Sequence, residues 1–76
     1  MVYTDGVHLI ADTLEELHAF AREMGLKPEW FQQKRLKHYD LTTKRAVRRA
    51  LSLGAVMVDS KEIVRIAERV NGKNGN

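Results

Sequence analysis

Apolar residues recur at helical spacing over Leu14, Leu17, Phe20, Ala21 and Met24, directly behind a capping-box pair, Thr13 and Glu16. Gly25 supplies a left-handed stop, so this stretch predicts a first helix. Ahead of it, Val2-Tyr3-Thr4 and Val7-His8-Leu9-Ile10 are rich in strand-favouring residues. The intervening Asp5-Gly6 suits either a tight turn or a bulge, and the short flanks favour a bulge within a single strand. Between Leu26 and Leu41 the period is lost. Pro28 opens a short helical turn through Gln32, and the remainder reads as an ordered loop. Trp30 and Phe31 are too apolar to stand in water unpartnered, so at least one should pack on the core or on another molecule.

A second helix starts near Thr42 or Thr43, should bury Ala46, Val47, Ala50, Leu51 and Leu53, and stops at Gly54. Ala55-Val56-Met57-Val58 is continuously apolar, as expected of a strand buried on both faces. Asp59 with Glu62 caps a third helix carrying Ile63, Ile66, Ala67 and Val70, and the Gly/Asn-rich stretch 71–76 reads as a disordered tail. These elements predict one α/β domain over residues 1–70 in the order β-α-loop-α-β-α, with two or three short strands covered by three helices. A right-handed crossover would pair the first strand in parallel with Ala55–Val58.

At 76 residues the chain is long enough for one domain with a thin core. It has no cysteine, so disulfides and thiolate metal sites are excluded, and an ion would have to be held by histidine and carboxylate. No apolar run approaches the roughly 20 residues that cross a bilayer, and the N-terminus lacks the order of a signal peptide, so a cytoplasmic protein with no membrane partner is expected. A thin core also leaves sheet edges to cover, which keeps a homo-oligomer open.

Charge changes the picture more than composition does. From Lys34 to Arg49 there are seven basic residues, Lys34, Arg35, Lys37, Lys44, Arg45, Arg48 and Arg49, against the single acid Asp40. The local net of +6 stands in a chain of net charge +3, so the rest is acidic. Lys44, Arg45, Arg48 and Arg49 share one side of the second helix, opposite its apolar residues. Four cations on one face repel unless an anion lies across them. With Arg35, Lys37 and the interleaved aromatics Trp30 and Tyr39, the stretch has the character of a surface for phosphate backbone and base stacking. The same pattern also describes the solvated face of a basic protein.

A second group consists of Asp5, His8, His18, His38 and Asp40, which includes every histidine of the chain. Imidazole with carboxylate is a ligand set for zinc or another divalent ion, or an acid/base pair near neutral pH. Asp5 and His8 lie by the first strand, while His38 and Asp40 precede the second helix, so chain ends can bring Asp5, His8, His38 and Asp40 together. Among these, His38, Asp40 and Asp5 are the candidates for chemistry. His18 fits less well, at the edge of the apolar stripe of the first helix. The competing reading makes His18 a packing residue, His38 and Asp40 a loop hydrogen bond or cap, and Asp5 a turn residue.

Leu14, Leu17, Ala21, Gly25, Leu26 and Phe31 partly reproduce helix-turn-helix spacing, but the would-be recognition helix from Pro28 to Arg35 has only Leu36 as a later anchor. A glycine-rich phosphate loop, a serine nucleophile elbow and a cysteine nucleophile are all missing from the sequence.

The stretches Val2–His8, Ala11–His18, Trp30-Phe31-Gln32, His38-Tyr39-Asp40-Leu41 and Gly54-Ala55-Val56 together resemble a family of small bacterial and phage proteins of unknown function marked by a His-Tyr-Asp signature. The resemblance spans roughly Val2 to Val58. It implies a bacterial cell, or the host cytoplasm for a phage product, and weight on His38, Tyr39 and Asp40; it implies no activity.

The expectation is therefore a phosphate-binding module associated with nucleic acid or nucleotide. Lys44, Arg45, Arg48, Arg49, Arg35 and Lys37 would contact phosphate, and Trp30 or Tyr39 a base. A divalent ion on Asp5, His8, His38 and Asp40 would make it a phosphoester hydrolase. The alternative is a non-enzymatic protein that engages an acidic partner protein.

Overall fold

The computed structural model describes the backbone of residues 1–34 and 36–74, and the side chains of all of these except 70–74. The element order is β1 (Val2–Thr4), β2 (His8–Ala11), α1 (Leu14–Met24), a 3-10 turn (Pro28–Trp30), β3 (Phe31–Gln33), β4 (Lys37–Asp40), α2 (Lys44–Ser52), β5 (Val56–Met57) and α3 (Ser60–Asn74). The five strands form one mixed sheet in the order β3-β4-β2-β1-β5. β1 and β5 pair in parallel, with Tyr3 opposite Val56, as expected.

Alternation along the strands divides the core in two. Val2, Leu9, Ala11, Tyr39 and Leu41 share one cluster with Leu17, Ala21 and Met24 of α1 and Ala50 of α2. On the opposite face Ile10 packs with Ile63 and Ile66 of α3, and Tyr3 and Leu36 close against them. Thr13 caps α1 through a bond from the Glu16 N–H to its hydroxyl at 3.1 Å, and Gly25 ends the helix at φ 83°. Thr43 caps α2 in the same way, through the Ala46 N–H at 3.0 Å, and Asp59 accepts from the Glu62 N–H at 2.9 Å. No helix among the described residues is long and apolar enough to cross a membrane.

Several expectations are corrected. The sheet has five strands rather than two or three, because the stretch read as a loop contains β3 and β4. Those strands escape the period-2 pattern: His38 and Tyr39 are both buried, and β3, Phe31-Gln32-Gln33, is three residues long with no alternation. Asp5-Gly6 is not a bulge but part of the turn between β1 and β2, which pair antiparallel with Thr4 opposite Leu9. Gly6 takes φ 94° there, a conformation that side chains beyond glycine rarely adopt. β5 is an edge strand with Val56 and Met57 exposed, not buried on both faces: it lies outside both core clusters. α2 fully buries Ala50 alone; Ala46, Val47 and Leu53 are half-buried and Leu51 is exposed. The segment required for a helix-turn-helix recognition helix is a 3-10 turn followed by a strand. α3 continues as helix to Asn74, while Gly75 and Asn76 of the expected tail, the Val70 side chain and the phosphate candidate Arg35 lie outside the described residues.

Candidate metal centre

His38 and Asp40 are two apart in β4 and so project from the same face. His8 opens β2 and stands directly opposite Asp40 in the antiparallel ladder. Strand spacing and register alone thus bring three side chains to one spot, where one ligand atom from each lies within 4.8 Å of the others. The two imidazoles meet edge to face at 4.9 Å between ring centres.

The hydrogen bonds fix which nitrogens are free. His8 Nδ1 faces Asp5 Oδ2 at 3.1 Å; an ionised carboxylate only accepts, so Nδ1 carries the proton and Nε2 keeps its lone pair. In His38, Nδ1–H donates to the Leu36 carbonyl, which leaves Nε2 as the lone-pair nitrogen. That Nε2 lies 3.0 Å from Asp40 Oδ1. With neutral imidazole, two lone pairs would oppose each other across that distance. The contact is favourable only with positive charge between them, supplied by a proton on the ring or by a shared cation. Each histidine thus has its Nδ1 held by an oxygen behind it, and His38 turns its Nε2 to Asp40, a second-contact pattern also found around metal-binding histidines.

Asp5 stands behind His8 and outside the trio, so the expected group of four comes together as three. Its side chain is only 6% exposed, whereas that of Asp40 is 46% exposed. Besides the His8 ring it accepts the Val7 N–H at 2.9 Å and the His8 N–H at 2.8 Å. Burial pushes its carboxyl up, but the His8 N–H, the His8 ring and the Val7 N–H together hold it below the ordinary carboxylate value.

His18 and Tyr39 belong to the other face of the sheet. Tyr39 is 2% exposed in the α1 side of the core, so it cannot stack on a base, which corrects that expectation. Its hydroxyl shares a hydrogen bond of 2.8 Å with His18 Nδ1, and Phe31 packs on both rings. Burial raises the Tyr39 phenol above its usual value, opposed by the charge of Arg22. His18 is thus a packing residue. Of the two exposed-aromatic candidates, Phe31 joins the core and Trp30 stays 49% exposed.

Lys44, Arg45, Arg48 and Arg49 are all exposed, and among the described residues no carboxylate lies within ion-pairing distance of them. Lys37 is half-buried at the far end of β4, away from Asp40. Lys44 and Arg48 line a shallow pocket of about 350 Å³ with Gly6, the residue after Asp5. A larger cleft of about 420 Å³ borders Asp40 itself and is lined also by Trp30, Gln32, Glu29 and Thr42. Glu29, Gln32 and Thr42 were not singled out by the sequence, since isolated polar residues in a stretch without period carry no signal. The His-x-Asp spacing at 38 and 40 was such a signal, once the segment is known to be a strand.

Fold and cluster define a small α/β domain with a five-stranded mixed sheet and a histidine–carboxylate group at one sheet end. The chain belongs to the family described as protein of unknown function (DUF4031), which matches residues 4–70. No curated protein and no solved structure matches it.

Proposed function

We propose that this chain binds one divalent transition-metal ion through His8, His38 and Asp40 and uses it to hold, and hydrolyse, a phosphoester. The observation that carries the reading is that His8, His38 and Asp40 each bring a ligand atom within 4.8 Å of the others, while Nδ1 of each imidazole is engaged behind it by Asp5 and by the Leu36 carbonyl. Two nitrogens and one oxygen suit zinc or a similar borderline ion rather than magnesium or calcium. Bonds of about 2.0–2.1 Å set tetrahedral ligands about 3.3 Å apart. The His38–Asp40 pair is already at 3.0 Å, and an ion would draw together a trio whose ligand atoms lie within 4.8 Å of one another.

Three protein ligands leave a fourth position, the arrangement of hydrolytic rather than structural sites. An ion there supplies a Lewis acid for a phosphoryl oxygen and a water of lowered pKa. Lys44 and Arg48, beside Gly6, supply cations for the remaining phosphate charge. Asp5 keeps the His8 tautomer that binds.

Cobalt(II) serves as the spectroscopic probe. Its visible bands should saturate at one ion per chain, and His8→Ala, His38→Ala and Asp40→Ala should each weaken binding by more than the about 10–100-fold that outer-sphere changes cost. Equal affinity in the His38→Ala protein overturns the site. The zinc-loaded protein should release nitrophenolate from a nitrophenyl phosphodiester; an ion bound without turnover overturns the hydrolase part.

A second reading rests on a separate observation, the four exposed cations of α2, which have no ion-pair partner among the described residues. These support nucleic-acid binding, or a non-enzymatic contact with an acidic protein, without any ion. The two partners differ in salt response: phosphate backbone binding weakens linearly in log salt, whereas a protein contact anchored by Trp30 weakens less.

A further inference from the structure

The cleft beside Asp40 lies where β3 begins and β4 ends. Phe31 pairs with Tyr39, so Trp30, one residue earlier, comes alongside Asp40. This is the same sheet end that carries the metal-ligand trio and the Asp5-Gly6-Val7 turn, because β2 starts there opposite the end of β4. Asp40 is shared, touching His38 on one side and lining the cleft on the other. A ligand held in the cleft would therefore reach Asp40, the residue shared with the trio.

The cleft has a specific chemistry. Its volume of about 420 Å³ falls in the about 300–1,000 Å³ range of small-molecule sites. Leu26 and Ala46 give it an apolar wall, and the half-exposed indole of Trp30 gives it a flat aromatic surface. Lys27 Nζ stands 5.7 Å from the Trp30 ring centre, which restrains the indole through a cation–π contact. Two polar side chains then face whatever stacks there. Glu29 can only accept hydrogen bonds, so it selects a ring edge with N–H donors, whereas the Gln32 amide can both donate and accept. Thr42 adds one hydroxyl towards the Asp40 side.

We infer that the cleft binds an amino-bearing nucleobase of a mononucleotide, or of the terminal residue of a nucleic acid, with its phosphate directed to the ion on His8, His38 and Asp40. The inference rests on the metal reading for the phosphate end only. The base end depends on Trp30, Glu29 and Gln32. A planar ring stacked on one indole, with its amino edge on a carboxylate, fits this lining better than a sugar phosphate, which offers no face to stack. It fits better than an aliphatic acid as well, which Glu29 would repel.

Trp30 is the chain's single tryptophan, so its fluorescence reports the cleft directly. Titration of the full chain with adenosine or cytidine and their 5′-monophosphates, with and without zinc, should give saturable quenching. Zinc should improve the monophosphate affinity about tenfold or more and leave the nucleosides unchanged. Glu29→Gln should weaken the amino-bearing bases about tenfold, as loss of one charge-assisted hydrogen bond does, and should leave uridine unaffected. Ribose 5-phosphate should not quench. Quenching by ribose 5-phosphate as strong as by the nucleotides, or none by any nucleoside or nucleotide at millimolar concentration, overturns the inference. Cobalt binding in the same sample keeps the two readings separable: an ion bound without quenching refutes the cleft alone, and nucleoside quenching without an ion refutes the metal site alone.

Discussion

Replacing Asp5 by asparagine tests the logic of the metal centre most directly, because it alters one proton and little else. In the wild-type chain the Asp5 carboxylate accepts from His8 Nδ1–H at 3.1 Å and from two backbone N–H groups at 2.8 and 2.9 Å. An asparagine oxygen can keep both backbone bonds at the position of Oδ1. Its NH₂ group then falls where Oδ2 faced the ring, and a donor there favours the tautomer of His8 with a bare Nδ1 and a protonated Nε2. The nitrogen aimed at the ion is thereby blocked. Restoring it means losing or reversing one hydrogen bond, which sets the expected loss at about 10–100-fold in metal affinity, or about 1.4–2.7 kcal/mol. The fold should survive, since the asparagine oxygen keeps both backbone bonds of the turn. Cobalt titration gives the affinity, and nitrogen NMR of the imidazoles gives the tautomer. Unchanged affinity together with an unchanged tautomer would falsify the assignment of Asp5 as the residue that positions His8.

Acid sensitivity follows from the same carboxylate. Its folded value lies below the unfolded one near 4, so unfolding takes up a proton between the two. The stability it contributes is complete above the unfolded value and disappears as pH falls through the folded one; denaturation of wild type and Asp5→Asn should therefore converge at low pH, and a constant difference across that window counts against the bond set. Leu9, with no exposed surface between the two antiparallel neighbours of β2, should cost about 2–5 kcal/mol when cut to alanine, read as a lowered midpoint in urea. Lys44→Ala with Arg48→Ala should weaken single-stranded oligonucleotide binding and reduce its log–log salt slope by about 0.7 for each phosphate that is no longer neutralised, without lowering the melting temperature. An identical slope would remove these two cations from the interface.

The helices were legible because their signals are local. Thr13, Thr43 and Asp59 each cap their own third-following N–H, and the stripe Leu17, Ala21, Met24 depends only on a 3.6-residue period. The parallel partner of β1 was also accessible, because a short apolar run reached through helices reads as the return strand of a crossover unit. The residue types of the site were legible too: with no cysteine and three histidines, any transition-metal site had to be built from His and carboxylate.

What the chain order could not convey was register. Whether His8 meets Asp40, and whether Asp5 binds an ion or stands behind His8, depends on a hairpin and a β2–β4 pairing between segments about thirty residues apart. β4 hid from the period-2 test because its two faces serve different ends, Tyr39 packing into the α1 core while His38 and Asp40 form the polar group opposite. The same alternation separated Tyr39 from its sequence neighbours and removed it from any ligand surface. Side-chain composition, capping and periodicity are properties of neighbours along the chain, and the sequence determines them by itself. The coincidence of three ligand atoms, the cleft beside Asp40 and the burial of Tyr39 exist only once long-range strand pairing has chosen which face each residue shows.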